Sequence, residues 1–349
     1  MKLLKPAYTL FVKTGPSCNA GCNSCPSGRK QPGDIESIPM MRLEMFQRIL
    51  DRALSQGDVI SVVLHYLNEP TINPHMPDII AYGVKRGVYT SMSTNGSFPE
   101  NLYRCIDAGL DQLIMSVSGF TQAVHERSHK NTDIEKVKAA MREVSRRRKK
   151  GQFVRVGWHD YTYNRHEQAQ MRALARELGF KFDAYQTSLL PLEAALDRLA
   201  QVRDDPNSPE HPGERDLMMK LTEAKQWCDD RRHFTCIIQQ RMFSVDGNGY
   251  LYNCCAKGNA PGNRRESIFD VNLEDVNQKR FSDPDCAACK AVGGHAYGTQ
   301  KHQTPLTVAW DVRRWAEDRW RDLGLGRHRR LIKWAAKLYH RPNRKDSKA

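Results

Sequence analysis

Along the first half of the chain, short apolar runs alternate with stretches whose apolar residues recur every three or four positions. Tyr8 to Thr14 (YTLFVKT) reads as a strand, and Leu43 to Leu54 as a helix. Val59 to Tyr66 is a buried strand, and Met76 to Arg86 a helix ending at Gly87. Val88 to Ser93 is the third strand, and Pro99 to Ala108 a helix that Gly109 caps. Gln112 to Ser118 and Ile134 to Lys149 make the fourth pair, Phe153 to His159 and Glu167 to Leu178 the fifth. Lys181 to Leu189 is a sixth strand. Strands that alternate with helices predict an α/β fold with a parallel sheet and right-handed crossovers. Periodicity alone allows either a partial (β/α)6 barrel or a doubly wound sheet.

The pattern changes after residue 203. Asp204 to Arg215 (DDPNSPEHPGER) is rich in Pro and acids and reads as a loop or linker. Further on, MFSVDGNGYLYN carries the turn pairs Asp246-Gly247 and Asn248-Gly249 between apolar residues, a β-hairpin pattern. Trp310 to Asp322 and Arg330 to Tyr339 are helical patterns. The expected division is 1–203 barrel, 204–227 linker, 228–300 a small hairpin-containing domain, and 301–349 a basic helical tail.

Composition narrows the setting. The 349 residues, 40% hydrophobic and 27% charged, suffice for a large core. No apolar run approaches the roughly 20 residues of a membrane-spanning helix, and MKLLKPAYTL is too short in its apolar part for a signal peptide. The expectation is a cytoplasmic protein whose ten cysteines serve metal or redox chemistry. From Arg327 onward, nine Lys or Arg stand against the single acid Asp346, so +8 of the formal +14 sits in this tail. Leu331, Trp334, Ala335 and Leu338 share one face of a basic amphipathic helix. Docking on the barrel, association with an anionic membrane surface and nucleic-acid contact are its three readings, the last the weakest because no recognised nucleic-acid module accompanies it.

The cysteines fall into two sets. Cys18, Cys22 and Cys25 form C-x3-C-x2-C on a loop that Pro16 and Gly21 set off from the first strand. Three thiolates on one loop suit an iron–sulfur cluster, and a four-iron cube would keep one iron open. Zinc sites favour C-x2-C pairs and four closed ligands, which fits this spacing poorly. The second set is Cys236-x12-Gly249-x4-Cys254 followed by Cys286-x2-Cys289. The hairpin would bring Cys236 and Cys254 together. A zinc ribbon also combines a hairpin with a C-x2-C pair and stays open here.

The first cysteine loop after a first strand resembles the radical S-adenosylmethionine (radical SAM) superfamily. That resemblance implies the partial (β/α)6 barrel, a 4Fe–4S cluster on Cys18, Cys22 and Cys25, and SAM chelated to its open iron. Ser24 departs from the aromatic residue usual before the third cysteine. Leu67-Asn68-Glu69, followed by Pro70, resembles the family's Gly-Gly-Glu segment, with Leu67 and Asn68 at the two glycines and Glu69 placed for the SAM amino group. Ser93-Thr94-Asn95-Gly96 resembles the segment near the SAM ribose and carboxylate, and Ser116-Val117-Ser118 the family's serine-bearing strand end. The second set resembles a twitch or SPASM domain, implying an auxiliary 4Fe–4S cluster on Cys236, Cys254, Cys286 and Cys289, with Cys255 an alternative to Cys254. Cys228 or Cys255 is the candidate hydrogen-atom donor, while Cys105 is expected in the core. Trp158-His159-Asp160 is a candidate substrate-facing segment, and Arg155 and Tyr185 are candidate bases.

The expected reaction is reductive cleavage of SAM and abstraction of a substrate hydrogen atom. Only seventeen residues precede Cys18, too few for a fused leader-binding domain. That favours a polar small molecule, such as a sugar, cyclitol or nucleotide-linked sugar, undergoing dehydrogenation or epimerisation. The basic surplus would suit a phosphorylated or lipid-linked form. An external one-electron donor such as flavodoxin or ferredoxin is implied. Peptide modification is the alternative enzymatic reading; a zinc-stabilised adaptor for membrane or nucleic acid is the non-enzymatic one.

Overall fold

The computed structural model describes residues 7–22, 25, 27, 38–190, 192–233, 236, 238–239, 242–257 and 263–298. The tail, 301–349, and Ser24 lie outside the described residues.

Six strands form a parallel run: β1 (Ala7–Val12), β2 (Asp58–Val63), β3 (Tyr89–Thr94), β4 (Gln112–Val117), β5 (Phe153–Asp160) and β6 (Lys181–Gln186). Between them lie α1 (Leu43–Gln56), α2 (Met76–Lys85), α3 (Pro99–Asp107), α4 (Gln122–His125), α5 (Ile134–Arg147) and α6 (Gln168–Glu177). Each strand pairs with the next in sequence. Every crossover therefore steps the same way, and right-handed crossovers then put their helices on one face. A doubly wound sheet reverses its strand order. This one does not, so the fold is a largely parallel α/β sheet of partial-barrel type.

Local chemistry explains the elements. In α1, Phe46, Ile49, Leu50 and Ala53 are buried at helical spacing. The Asp133 side chain caps α5 by accepting from the backbone N–H of Glu135 and Lys136. Gly109 follows α3 at φ 96°, a left-handed conformation suited to a helix end. Leu10, Val62, Met92, Met115, Val156 and Trp158 join the helix faces in one continuous core.

The remaining described elements are α7 (Leu192–Asp204), α8 (Leu221–Asp229), β7 (Met242–Val245), β8 (Tyr250–Tyr252), β9 (Arg264–Ser267), α9 (Leu273–Lys279), α10 (Pro284–Ala291) and α11 (Gly294–Gly298). The hairpin pattern becomes β7 and β8, which pair antiparallel. β7 also pairs parallel with β1, so the hairpin continues the main sheet in the order β6-β5-β4-β3-β2-β1-β7-β8-β9.

Residues 204–227, expected to be a linker, are instead packed structure. Leu217, Leu221 and Ala224 join Leu192, Ala195, Leu199 and Tyr297 in a second core. Arg198 Nε donates to Glu214 Oε1 at 2.6 Å, with the two side chains 2% and 1% exposed. The acids and prolines that read as a linker include this buried partner, which no local pattern marks.

Candidate functional site

The first cysteine loop leaves the C-terminal end of β1, where α/β barrels gather their chemistry. Cys18 Sγ accepts from the backbone N–H of Ala20 at 3.4 Å and from Asn95 Nδ2 at 3.7 Å. Asn95 also donates to Asn19 Oδ1 at 2.9 Å, tying the loop to the end of β3. Cys18, Cys22 and Cys25 are half-buried and lie close enough to couple electrostatically. Burial pushes the Cys18 and Cys22 thiols up to about 12, and their neighbours' charges push the same way. As bare thiols they are neutral; a bound metal would draw off their protons.

The loop after β2 closes against this one. Leu67 has φ 52°, a left-handed conformation uncommon for a residue with a branched side chain. It stands where the resembled family has glycine. Its carbonyl accepts from Ser27 Oγ at 2.5 Å, and Glu69 N–H donates to Ser17 O at 3.1 Å. The Asn68 side chain accepts from Tyr66 N–H and donates to Thr14 Oγ1. The buried Glu69 carboxylate accepts from Thr71 N–H at 3.0 Å, Thr71 Oγ1 at 2.5 Å, Thr94 Oγ1 at 2.6 Å and Asn95 N–H at 2.8 Å. Burial raises its pKa against the pull of these bonds. The carboxylate is thus a clasp between the β2 and β3 loops.

Further along, Ser93 and Ser116 share a hydrogen bond of 2.8 Å, and Ser93 N–H donates to His65 Nδ1. Tyr185, 37% exposed, meets His159 Nε2 at 2.6 Å and also hydrogen-bonds Ser116. Gly157 makes room for this ring: a Cβ there would stand 3.2 Å from the Tyr185 hydroxyl. Two expectations are corrected here. Ser118 is fully buried, donating to His125 O and bonded to His129 Nδ1, so it is packing and not cofactor contact. Trp158 is fully buried against Phe182. Arg155 is neutralised by Asp183 at 2.9 Å.

Burial lowers His65, His125 and His159 from 6.5 to about 4. The unfolded chain therefore binds more protons than the folded one between these values, so stability rises with pH there. Their contribution is complete above about 6.5 and is lost as pH falls towards 4. The urea midpoint, followed by far-UV signal, is expected to drop steeply over that window. Visible absorbance recorded alongside separates loss of metal. A flat profile would exclude the histidines as the acid-labile groups.

The second cysteine set surrounds one pocket. Cys236, Cys254, Cys286 and Cys289 all line it, together with Asn253, Gln239, Lys257 and His295. Cys255 does not line it, although its charge couples to Cys254 and Cys236. Asn263 clamps the Cys254 peptide through two 2.9 Å bonds, and Asn253 Nδ2 donates to Cys286 Sγ at 3.7 Å. Cys286 and Cys289 stand on α10, whose cap Asp283 accepts from Cys286 N–H. Burial raises Cys254 to about 11 and Cys289 to about 12. Behind the pocket-lining Ile238 and Gln239 lies the buried cation Arg280, which the sequence pattern does not mark. Among the described residues, no three or more His, Cys, Asp or Glu side chains are grouped tightly enough for a single metal ion. Four thiols lining one pocket are, by their chemistry, the donor set that iron–sulfur groups take.

Cys228, a candidate hydrogen-atom donor, is fully buried among Leu192, Leu199, Leu221 and Tyr297. Its thiol is therefore part of the second core. Cys105 is likewise buried, in the main core. Tyr66 links the two cysteine sets: it adjoins the β2 loop, packs edge-on to Tyr252, and donates to Cys254 O at 3.5 Å.

Comparison with known proteins fits this geometry. Residues 12–173 match the family model of the Radical SAM superfamily. No curated protein matches the chain. The structure of Streptococcus suis SuiB bound to S-adenosylmethionine is similar with a TM-score of 0.55 at 14% identity, covering 83% of this chain and 69% of SuiB. SuiB bound to precursor peptide SuiA gives 0.53 at 13%, over 83% and 68%. Native anSMEcpe with bound AdoMet gives 0.51 at 15%, over 85% of each chain. At these identities the likeness is one of fold. Among the described residues, no helix is long and apolar enough to cross a membrane. The matched segment begins at the end of β1, takes in the C-x3-C-x2-C loop and runs through β5 into α6, so the similarity to the Radical SAM superfamily lies in residues 12–173, just under half of the chain.

Proposed function

We propose that this protein is a radical SAM enzyme with an auxiliary iron–sulfur cluster, acting as an oxidoreductase or epimerase on a hydroxyl-bearing small molecule. The observation that carries the reading is the gathering of three half-buried thiols at the end of β1, inside the matched segment. Cys18, Cys22 and Cys25 would hold a 4Fe–4S cluster that, with bound SAM and one electron, supplies a hydrogen-abstracting 5′-deoxyadenosyl radical. The chain's own residues position and exclude. Asn95 holds Cys18 and the loop, while Glu69 fixes the β2 and β3 loops that would flank SAM. Tyr185, His159, Ser116 and Ser93 supply donors and acceptors for substrate hydroxyls.

The second set supports a twitch-like auxiliary site, with Cys236, Cys254, Cys286 and Cys289 as its ligands because these four line the pocket. An external flavodoxin or ferredoxin would deliver electrons in the cytoplasm. The phosphorylated or lipid-linked form of the substrate and the membrane role of the tail remain parts of this proposal. Peptide modification is the second reading, favoured by the fold likeness to SuiB, a structure of which holds a precursor peptide.

The test is iron, sulfide and zinc content after anaerobic reconstitution, with SAM cleavage assayed on the same sample. About eight irons per chain and release of 5′-deoxyadenosine are expected. Four irons with cleavage would remove the auxiliary cluster alone. Zinc without iron or cleavage would overturn the enzyme reading in favour of an adaptor.

A further inference from the structure

The four thiols of the second set share their surroundings with one deeply buried cation. Arg280, 2% exposed, follows α9 directly. Its Nη1 donates to Met242 O at 2.6 Å and Ile238 O at 3.4 Å, and its Nη2 to Tyr252 O at 3.2 Å. The guanidinium lies over the Phe243 ring, 4.5 Å from its centre. Nε finds no hydrogen-bond partner among the described residues. Ile238, whose carbonyl it binds, and Gln239, whose Nε2 donates to Arg280 O at 3.0 Å, both line the pocket of the four thiols, which places the cation directly behind that pocket's wall. Burial opposes its charge, and the charges of Cys254, Cys286, Cys255 and Cys236 favour it. Lys257 lines the same pocket but is engaged by Asp285 at 2.7 Å and Glu193 at 3.7 Å. Its charge is therefore already offset, and that of Arg280 is not.

A buried guanidinium bonded only to carbonyls is costly unless an anion compensates it. Four thiolates around a doubly charged 4Fe–4S core carry a net 2−, and the arriving electron makes this 3−. A fixed cation nearby stabilises the second state more than the first. We propose that Arg280 sets the reduction potential of the auxiliary cluster, holding it high enough to accept an electron from a substrate radical. A cluster held there would take one electron from that radical, which would leave as oxidised product after losing a proton, and would pass the electron to an external one-electron carrier protein. This inference rests on the reading of the second cysteine set as a cluster site.

The experiment uses the full chain, reconstituted anaerobically, with Cys18→Ala removing the first cluster's signal. Iron content is measured first, then the reduced fraction of the remaining cluster during a dithionite titration followed by electron paramagnetic resonance. About four irons in Cys18→Ala are expected; none would sink the cluster reading itself, whatever Arg280 does. Adding Arg280→Gln should keep those irons and lower the reduced-to-oxidised ratio at fixed poise about tenfold, a fall of about 59 mV for one electron. Arg280→Lys should restore most of it, and Lys257→Met should move it less than about twofold. An unchanged ratio in Arg280→Gln overturns the proposal. So does an equal shift in both Arg280 variants, or loss of iron in Arg280→Gln alone, because each assigns Arg280 to holding carbonyls and not to supplying charge.

Discussion

Cys18→Ala is expected to abolish SAM cleavage while leaving the fold and the second set's metal intact. The first loop offers three thiols, and Cys18 is the one held from two sides, by Ala20 N–H and Asn95 Nδ2. Two remaining thiols do not retain a cubane that already lacks a fourth protein ligand. Iron should fall from about eight to about four per chain, and 5′-deoxyadenosine release should fall to the reagent blank. Far-UV signal should not change, since alanine fits the half-buried loop position without disturbing β1. Cys105→Ala is the matched control: its thiol is packed in the main core, so stability should drop while iron and cleavage survive. Retention of eight irons and of cleavage in Cys18→Ala would exclude the first loop as the cluster site.

The second large effect is on stability. Glu214→Ala removes the carboxylate that faces Arg198 in the second core, where both side chains are almost wholly enclosed. Glu214 Oε2 also accepts from Leu221 N–H at 2.7 Å, and Oε1 from His211 N–H at 3.2 Å. The variant would strand a buried guanidinium, a loss of about 3–5 kcal/mol. Urea unfolding should report it directly. The double variant Arg198→Met, Glu214→Leu should recover much of the loss, since an apolar pair of similar size needs no compensation. If Glu214→Ala costs less than about 1 kcal/mol, the pair is solvated in solution and the 204–227 segment is looser than its packing implies. Because α7 and α11 border the second cysteine pocket through Leu192 and Gly294, metal uptake by that set should weaken in parallel.

Much of this protein was legible in its residues. Period-two and period-3.6 patterns placed all six parallel strands and five of the six helices between them, missing only the short α4 (Gln122–His125), because each longer element buries one face and repeats its apolar residues accordingly. The hairpin followed from Asp246-Gly247 and Asn248-Gly249, since few residues besides Gly, Asn and Asp tolerate such a tight reversal. The first cysteine loop and the Cys286-x2-Cys289 pair followed from spacing, because thiols on one loop or one helical turn are brought together by local geometry; that α10 meets the hairpin end at one pocket did not.

What the sequence left undetermined depends on contacts between distant residues. Strand order separated the partial barrel from the doubly wound sheet, and no local pattern encodes which strands are neighbours. The joining of β7 to β1, more than 230 residues away, made the hairpin part of the main sheet. Burial reassigned Cys228 and Ser118 to the core and separated Cys254 from its neighbour Cys255, though each residue type reads alike in a string of letters. Glu69 matched a familiar position, yet its carboxylate is engaged by Thr71, Thr94 and Asn95, which the fold alone delivers to it. Arg280 shows the same limit most plainly: one arginine among many in the sequence, it becomes the buried cation of the second site only when β7, β8 and the turn after α9 meet. Local patterns fix what a segment does for itself; which charges and thiols share a low-dielectric space is set by packing over the whole chain.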